Sequence, residues 1–302
     1  MLVKSRSESL ELVAMRYLAS RVDLTEQEKY QHVNLEKGYE GEVKFDQLAE
    51  SLLEERYVIN DLLLEVNNSY FQIDTLLISQ TVIHLLDIKN YQGDYYIEGD
   101  KLYSVTTRRE CKNPIDQFKR SATLFRQLLQ KLEMNYHVEA TVIFINPEFT
   151  LYQAPLELPI VFPTQVNRFL KDLNNTPSKL NNKHQQLSQK LLSLHQINNP
   201  HSKFPRYTYE QLRKGAFCNS CRSLLLSKTQ QYFLCTKCGS HEKIEQAILR
   251  NIEEFKVLFP ERLITTQNIH DWCEVDLNKK TICRILKKHY TPYGVSKDTY
   301  YK

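Results

Sequence analysis

The segment VIHLLDIK, residues 82–89, most strongly constrains what this chain can fold into. Its apolar and β-branched residues are typical of a buried strand, yet Asp87 and Lys89 lie at its end. Alternation along a strand places these two charges on the same face. Because burying a charge without a partner is costly, we expect the strand to carry a functional site.

The surrounding sequence predicts an α/β domain. Spacing of apolar residues predicts helices within 7–37 and from about Glu40, and Asn113 with Pro114 begins a third helix. A helix near 164–173 follows the last strand. The remaining strands are predicted from β-branched and aromatic segments at 57–66, 70–79, 94–105 and 138–147.

Asp74 interrupts the strand before residues 82–89. If the two strands form a hairpin through the SQTV turn, Asp74 and Asp87 lie within reach of one ion. Their carboxylates and the backbone carbonyl of Ile88 are the hard oxygen ligands that Mg²⁺ prefers, with Mn²⁺ as the other candidate. Lys89 can offset the acids, hold an attacking water, or stabilise negative charge on a phosphate.

Asp74 and the triplet Asp87-x-Lys89, with twelve residues between the two aspartates, resemble the signature of PD-(D/E)xK nucleases. Their surroundings resemble the nuclease-related (NERD) branch of that superfamily, in order and spacing, over roughly residues 7–170. The resemblance implies a restriction-endonuclease-like fold, which is a mixed sheet flanked by helices. The matching segments are GYEGE (38–42), FQIDTLLIS (71–79), LLDIKNYQG (85–93) and NPIDQ (113–117).

The same resemblance implies roles for individual residues. Glu42 is then the acid of the first helix, Asp74 and Asp87 are metal ligands, and Lys89 is the catalytic lysine. Gln117 reaches the site from the following helix. The sequence departs from the family at Asp87, where glutamate is more common.

Two alternatives to catalysis stay open at this point. The charged pair can be an internal salt bridge on a partly exposed strand. The fold can also be a nuclease relic that binds DNA without cutting it.

Four cysteines form two pairs, CNSC at 218–221 and CTKC at 235–238, with a hairpin-like segment of thirteen residues between them. Two such knuckles facing each other complete a tetrahedron around Zn²⁺ and leave no open position, so the predicted ion is structural. Disulfides are the alternative. The predicted zinc ligands are Cys218, Cys221, Cys235 and Cys238.

Charge is distributed unevenly along the chain. Residues 1–200 carry 22 Lys and Arg against 26 Asp and Glu, whereas residues 201–302 carry 18 against 10. Clustered positive charge attracts phosphates independently of sequence, so the basic end is where we expect DNA to bind. A merely soluble surface is the alternative.

The basic end also contains the pattern of a helix-turn-helix, with TPYGVSKDTYYK at 291–302 as a candidate wing. It resembles winged-helix DNA-binding tails. A plain helical bundle with a solvated charged face is the alternative. The residues predicted to contact DNA are Lys279, Lys280, Arg284, Lys287 and Lys288 in the second helix, and Arg222, Lys228 and Lys237 in the cysteine module.

The predicted domains are a NERD domain with an N-terminal helical extension (1–171), a linker containing one helix (172–206), a zinc ribbon (207–240) and a winged-helix-like domain (241–302). The charged start is unlike a signal peptide and no apolar run approaches the roughly 18 residues of a membrane span, so we expect a cytoplasmic protein without a membrane partner. Homo-oligomerisation stays open.

The first functional hypothesis is a metal-dependent endonuclease that hydrolyses DNA phosphodiester bonds, with DNA held by the zinc ribbon and the helical tail. The competing hypothesis is a catalytically silent DNA-binding protein that uses the nuclease fold as a scaffold. A third is a protein-interaction module with no nucleic-acid partner.

Overall fold

The computed structural model describes every residue except 198, 201, 203, 225 and 296–298. Part of the predicted wing and one residue of the predicted cysteine hairpin therefore lie outside the described residues.

The helices among the described residues are α1 (Leu10–Arg21), α2 (Glu26–Ala49), α3 (Pro114–Lys131), α4 (Val166–Asn175), α5 (Asn182–Ser193), α6 (Ile244–Leu258), α7 (Thr266–Cys273) and α8 (Lys279–His289), with a 3-10 turn at Pro163–Gln165. The strands are β1 (Leu2–Lys4), β2 (Tyr57–Val66), β3 (Ser69–Ile78), β4 (Val82–Lys89), β5 (Gly93–Glu98), β6 (Lys101–Ser104), β7 (Glu110–Cys111), β8 (His137–Phe144), β9 (Phe149–Tyr152), β10 (Ile160–Val161), β11 (Leu226–Lys228), β12 (Tyr232–Cys235), β13 (His241–Lys243), β14 (Pro292–Tyr293) and β15 (Tyr300–Tyr301).

The chain divides into two compact units. The first contains Met1–Ser7 and Asn34–His201, and the second contains Glu8–Val33 and Ser202–Lys302. This division differs from the predicted domains, which assigned the N-terminal helices to the nuclease domain and 172–206 to a linker. Contacts between residues far apart in sequence decide which core a helix joins, and local composition does not reveal them.

A six-stranded mixed sheet organises the first unit, in the order β1-β2-β3-β4-β8-β10. Strands β2, β3 and β4 are antiparallel neighbours, whereas β8 runs parallel to β4. Alternate residues of β4 join different cores: Leu85 packs with residues of α3 and α5, and Leu86 packs with residues of α2 and α4. Helices thus cover both faces, and the predicted α/β fold with a mixed sheet flanked by helices is confirmed.

A smaller sheet follows directly after β4, in the order β7-β6-β5-β9. It begins at Gly93, whose φ of 97° is in the region that favours glycine. Strand β4 ends at Lys89, and a break of three residues separates it from Gly93. This break places Lys89 at the end of the main sheet.

Helix α2 differs from the sequence prediction, which began a helix near Glu40. The helix runs uninterrupted through this point, so Gly38 and Gly41 lie inside it. A Cβ at Gly41 would lie 2.6 Å from the Cβ of Asn90, whereas a Cβ at Gly38 would meet nothing within 4 Å. Gly41 therefore permits the close approach of α2 to the chain just after β4, and it places Glu42 beside the sheet.

Residues 172–201, most of the segment predicted as a linker, belong to the first unit. This segment contains the predicted internal helix, α5, and Leu187 and Leu191 of this helix are fully buried in the core. The ring of His184 lies 3.0 Å from the carbonyl oxygen of Gln80. Apolar residues at helical spacing thus outweigh the polar composition of the segment.

The second unit contains a buried ionic network centred on Arg21 of α1. The guanidinium donates to both carboxylate oxygens of Glu254 at 2.7 Å and to Asn251 Oδ1 at 3.1 Å, and it lies 3.8 Å from the ring centre of Trp272. All four residues are at most 1% exposed. Arg21 therefore joins the N-terminal helix to α6 and α7.

The remaining elements of the second unit are two small sheets and a helical pair. Strands β11, β12 and β13 form an antiparallel sheet, which includes the predicted hairpin. Helix α7 is followed by α8, with the left-handed residue Glu274 at the end of α7. After α8, β14 pairs with β15, and Tyr301 also bridges to Ile264.

No helix in the described part of the chain combines the length and the apolar character that crossing a bilayer requires.

Candidate active site and cysteine cluster

Asp74, Asp87 and Lys89 come together where β3 and β4 pair. The predicted antiparallel hairpin is present, and the two acids lie one residue beyond the paired residues Thr75 and Leu86. Asp74 Oδ2 accepts a hydrogen bond of 2.9 Å from the backbone N–H of Ile88. The ammonium of Lys89 donates to Asp87 Oδ1 at 2.8 Å and lies 2.8 Å from Oδ2.

Burial dominates the electrostatics of this group. Asp74 and Asp87 are each 8% exposed. Burial raises the pKa of Asp87 to about 6; Lys89 opposes this rise and the nearby Asp74 adds to it. Burial lowers the pKa of Lys89, but the two carboxylates outweigh it, so the net pKa is raised and the ammonium stays charged.

Glu42 lies in the same electrostatic environment but has a different partner. Its Oε2 is 3.0 Å from Nη1 of Arg6, which follows β1. Burial, followed by repulsion from Asp74, raises the pKa of Glu42 to about 8, although Arg6 opposes the rise. At neutral pH this side chain therefore holds a proton for much of the time, unlike an exposed glutamate.

Sequence reasoning missed Arg6, which is the centre of this acidic network. Its side chain is 3% exposed and also bonds Asp61 at 2.7 Å, Asp46 at 2.8 and 3.0 Å, and the hydroxyl of Thr75 at 2.8 Å. These partners lie 40 to 69 residues away along the chain. A single arginine after a three-residue strand gives no local signal of such contacts.

Gln117 is not joined to this group. It lies in the first turn of α3, it is exposed, and among the described residues no hydrogen bond connects its side chain to Asp74 or Asp87. Asn113 caps the helix as predicted, accepting from the backbone N–H of Ile115 at 3.1 Å. The helix begins as expected, and the role of Gln117 stays a prediction.

The four predicted zinc ligands form a compact cluster. Their sulfur atoms all lie within 4.8 Å of one another, with Cys218–Cys238 at 3.7 Å and Cys221–Cys235 at 3.5 Å. A tetrahedral ion with Zn–S bonds of about 2.3 Å requires sulfur pairs about 3.8 Å apart, so the cluster fits zinc. All four thiols are free, and the cluster is compatible with a zinc ribbon.

The thiolate form is favoured at Cys218. Burial opposes ionisation of Cys218, but backbone N–H groups of Cys221 and Ser220 lower its pKa to about 6. Within the described ranges, this cluster is the one place where three or more His, Cys, Asp or Glu ligand atoms lie this close together.

The residues predicted to contact DNA fall into two groups. Lys279, Lys288 and Lys228 bond within the protein, to Gln267 Oε1 at 2.6 Å, Glu245 Oε1 at 2.7 Å and the carbonyl of Asp276 at 2.7 Å. The others are exposed, and their side chains make no ion pair within the part of the chain that the structure describes. These are Lys280, Arg284 and Lys287 of α8, and Arg222 and Lys237 beside the cysteines.

A family model matches the part of the chain that contains Asp74, Asp87 and Lys89. Residues 37–145 match the family model of the nuclease-related domain, NERD, so the chain contains a nuclease-related domain. The match includes Glu42, Asp74, Asp87, Lys89 and Gln117, but Arg6 and the cysteine cluster lie outside it. No curated protein and no solved structure matches the chain significantly.

Proposed function

We propose that this protein is a metal-dependent endonuclease that hydrolyses DNA phosphodiester bonds. The observation that carries the proposal is the group at the end of β4, where the Lys89 ammonium lies 2.8 Å from both Asp87 oxygens, beside buried Asp74. Phosphodiester hydrolysis requires positive charge at a phosphate and a positioned water. The two buried carboxylates can bind a cation, and the adjoining lysine can bind a phosphate oxygen.

The acid pair fits a divalent cation. Burial, with a smaller contribution from Asp74, raises the pKa of Asp87 to about 6 although Lys89 opposes the rise, so a bound cation would favour the ionised form. Asp74, Asp87 and the carbonyl oxygen of Ile88 would hold Mg²⁺ or Mn²⁺ through hard oxygen ligands. When bound, such an ion supplies Lewis-acid stabilisation of charge on the phosphate.

The side chains of this protein supply the remaining functions. The Lys89 ammonium donates hydrogen bonds to the attacking water or to a non-bridging phosphate oxygen. This contact holds the water and the phosphate in the relative position that attack requires. Glu42, with a pKa of about 8, can exchange a proton near neutral pH. Arg6 holds the Glu42 carboxyl group in place at 3.0 Å.

The second unit supports a role in holding DNA. A zinc ion on the four cysteines would be structural, because no coordination position is left open. The order α6, the Ile264 bridge, α7, α8 and the β14–β15 pair is compatible with the proposed winged helix. Lys280, Arg284 and Lys287 are spaced by four and three residues, so they lie along one exposed face of α8.

Cleavage is tested with supercoiled plasmid DNA in Mg²⁺ or Mn²⁺, comparing the wild type with Asp87→Ala and Lys89→Ala. We expect metal-dependent nicking that both substitutions reduce by at least about a hundredfold. Asp94→Asn and Lys112→Ala, which change exposed residues of the same unit, are the matched controls and retain activity. Nicking that persists in Asp87→Ala contradicts the proposal.

A second candidate is a DNA-binding protein that has lost catalysis. It is favoured by the internal ion pair, because both Asp87 oxygens already face the Lys89 ammonium. This candidate predicts tight DNA binding without cleavage in any divalent metal. Weak binding that does not depend on salt would instead indicate a protein-interaction module.

DNA binding through α8 is tested by the salt dependence of affinity. Lys280→Ala, Arg284→Ala and Lys287→Ala should each weaken binding and lower the magnitude of the slope of log K against log salt by about 1. Lys256→Ala is the control, since this exposed lysine already pairs with Glu253 at 2.8 Å. Unchanged slopes in all three variants would exclude α8 from the interface.

A further inference from the structure

Asp61, in the middle of β2, has a left-handed backbone with a φ of 52°. Few residues other than glycine adopt this region, and inside a strand it interrupts the regular ladder. Two other residues of the β2–β3 hairpin have positive φ, but Asn67 and Asn68 form its turn, which accounts for them. Backbone strain outside a turn often marks a functional site, so Asp61 needs an explanation of its own.

The strained residue lies opposite Asp74. Strands β2 and β3 pair in one register on both sides of it, and the flanking pairs are Asn60–Thr75 and Leu62–Ile73. This register places Asp61 across from Asp74, and the register of β3 with β4 places Asp87 across from Asp74 on the other side. Asp61, Asp74 and Asp87 therefore form one row across three neighbouring strands.

Both β2 and β3 lose their regular alternation at this row. Ile59 and Leu62 of β2 are three residues apart but pack in the same hydrophobic core, as do Ile73 and Leu76 of β3. Regular alternation would place residues three apart on opposite faces of the sheet. Each of the two strands thus changes face at the row of aspartates.

The carboxylates of Asp61 and Asp74 turn to opposite neighbours. Asp61 accepts from Arg6 Nη1 at 2.7 Å and from the backbone N–H of Ser7 at 2.8 Å. Asp74 instead accepts from the backbone N–H of Ile88, in β4, at 2.9 Å. Like charges directly across a strand pair repel each other. Burial raises the pKa of Asp61 and Arg6 opposes the rise, but Asp74 still adds to it, so the two acids remain within electrostatic reach.

We propose that Asp61 is a positioning residue of the candidate active site and acts through Asp74. A regular β2 would hold the Asp61 carboxylate beside that of Asp74. The left-handed backbone instead turns the Asp61 carboxylate toward Arg6, which leaves Asp74 free to bond Ile88 and to lie beside Asp87. The effect on metal binding rests on the proposed function, whereas the placement of Asp74 does not.

Two substitutions at Asp61 separate its backbone from its charge. Asp61→Gly and Asp61→Val both remove the carboxylate, but glycine adopts the left-handed region without strain and valine does not. Asn68→Val is the matched control, because it imposes the same conflict on a residue with a φ of 58° at the turn of the same hairpin. Asp61→Ala, which tolerates this region at a lower cost than valine, replaces Asp61→Val if that variant does not fold.

The first measurement follows the Ile88 amide in EDTA by NMR hydrogen exchange, as a ratio to the exchange of the other β4 amides. We expect Asp61→Val to raise this ratio at least about tenfold, because the Asp74 carboxylate leaves the Ile88 N–H. In Asp61→Gly and Asn68→Val the ratio stays within about threefold of the wild type.

The second measurement is the affinity of the zinc-loaded protein for Mn²⁺ without DNA, by titration calorimetry. Asp61→Val should weaken binding at least about tenfold, because a displaced Asp74 no longer shares an ion with Asp87. Asp61→Gly and Asn68→Val should bind Mn²⁺ within about threefold of the wild type. Neither measurement requires cleavage, so both apply equally to an inactive nuclease.

Equal values in Asp61→Val and Asp61→Gly overturn the proposal, for the Ile88 ratio or, where the wild type binds Mn²⁺, for the affinity. An effect of Asn68→Val as large as that of Asp61→Val also overturns it, because loss of hairpin stability then explains both. A wild type that binds no Mn²⁺ contradicts the metal-dependent endonuclease, and the Ile88 ratio alone then decides whether Asp61 positions Asp74.

Discussion

Two buried cationic side chains, Lys89 and Arg6, form ion pairs with acidic residues of the first unit. Lys89 pairs with Asp87 from the same strand, two residues away, whereas Arg6 binds Glu42 and Asp46 from far along the chain. Removing one member of a buried pair leaves its partner charged and without compensation, which costs more than the pair contributes. Single and paired substitutions therefore have different consequences.

We expect Lys89→Met to lower the free energy of unfolding of the first unit by about 3 kcal/mol at neutral pH, because Asp87 loses its counter-charge. The measurement is urea unfolding followed by a probe in the main sheet. Asp87→Asn combined with Lys89→Met should recover most of the loss, since no unpaired charge remains. Equal losses in the single and double variants would show that the ion pair is not the cause.

The pKa of Glu42 predicts a pH dependence of stability. The folded protein holds this proton up to about pH 8, whereas an unfolded glutamate releases it near pH 4.5. Between these values the folded state binds more protons than the unfolded state, so stability falls as the pH rises. In EDTA, we expect a loss of roughly 3–5 kcal/mol between these limits.

Glu42→Gln is the variant that tests this assignment, because an amide does not titrate. Its stability should fall less steeply over the same pH interval, as measured by thermal unfolding in EDTA. A wild-type stability that rises with pH, or a fall that is identical in Glu42→Gln, would contradict the assignment.

At the scale of elements, the approach of α2 to the end of β4 depends on one glycine. A side chain at Gly41 would collide with Asn90, but a side chain at Gly38 would not. We expect Gly41→Ala to destabilise the first unit by about 1–3 kcal/mol and to reduce cleavage, because α2 must shift and Glu42 shifts with it.

Gly38→Ala is the matched control for that prediction. It lies in the same helix and should stabilise the protein by about 0.5–1 kcal/mol through helix propensity alone. Both variants are compared by urea unfolding. If the two substitutions have the same sign, close packing at residue 41 is not what distinguishes them.

We expect removal of metal to affect the sheet formed by β11, β12 and β13 locally. Strands β11, β12 and β13 are short, and small modules of this size rarely fold on an apolar core alone. A strong chelator, or Cys235→Ser, should abolish amide-exchange protection in these strands while protection in β2, β3 and β4 persists. Protection of β11–β13 that survives complete chelation would exclude a zinc-dependent fold.

At the scale of the whole molecule, the N-terminal helix completes a unit that is otherwise C-terminal. Arg21 supplies the cation that Glu254 and Asn251 require in a fully buried position. We therefore expect a fragment of residues 202–302, with zinc, to be incompletely folded, because Glu254 would be buried without a partner.

Adding a peptide of residues 8–33 should restore near-native circular dichroism and amide protection of α6 in that fragment. The same peptide with Arg21→Met is the control and should fail to do so. Full folding of the fragment alone would show that α1 is dispensable for this unit.

Much of the fold and part of the site could be predicted because they depend on local pattern. The strand pair, the cap at Asn113 and the two cysteine knuckles are encoded by neighbouring residues, so their prediction is confirmed. The predicted start of α2 near Glu40 was wrong, because the helix continues through Gly38 and Gly41. The polar composition around α5 likewise concealed the two leucines that pack in the core.

By itself, the sequence determined the α/β class, the charged end of β4 and the paired cysteines, since strand alternation and ligand spacing act over a few residues. Only the tertiary structure decided that Arg6 collects the acids and that α1 joins the C-terminal unit. Each of these depends on which residues, distant in sequence, are buried together. A buried charge needs an opposite charge nearby and buried space needs side chains to fill it, and only the fold determines which residues are available.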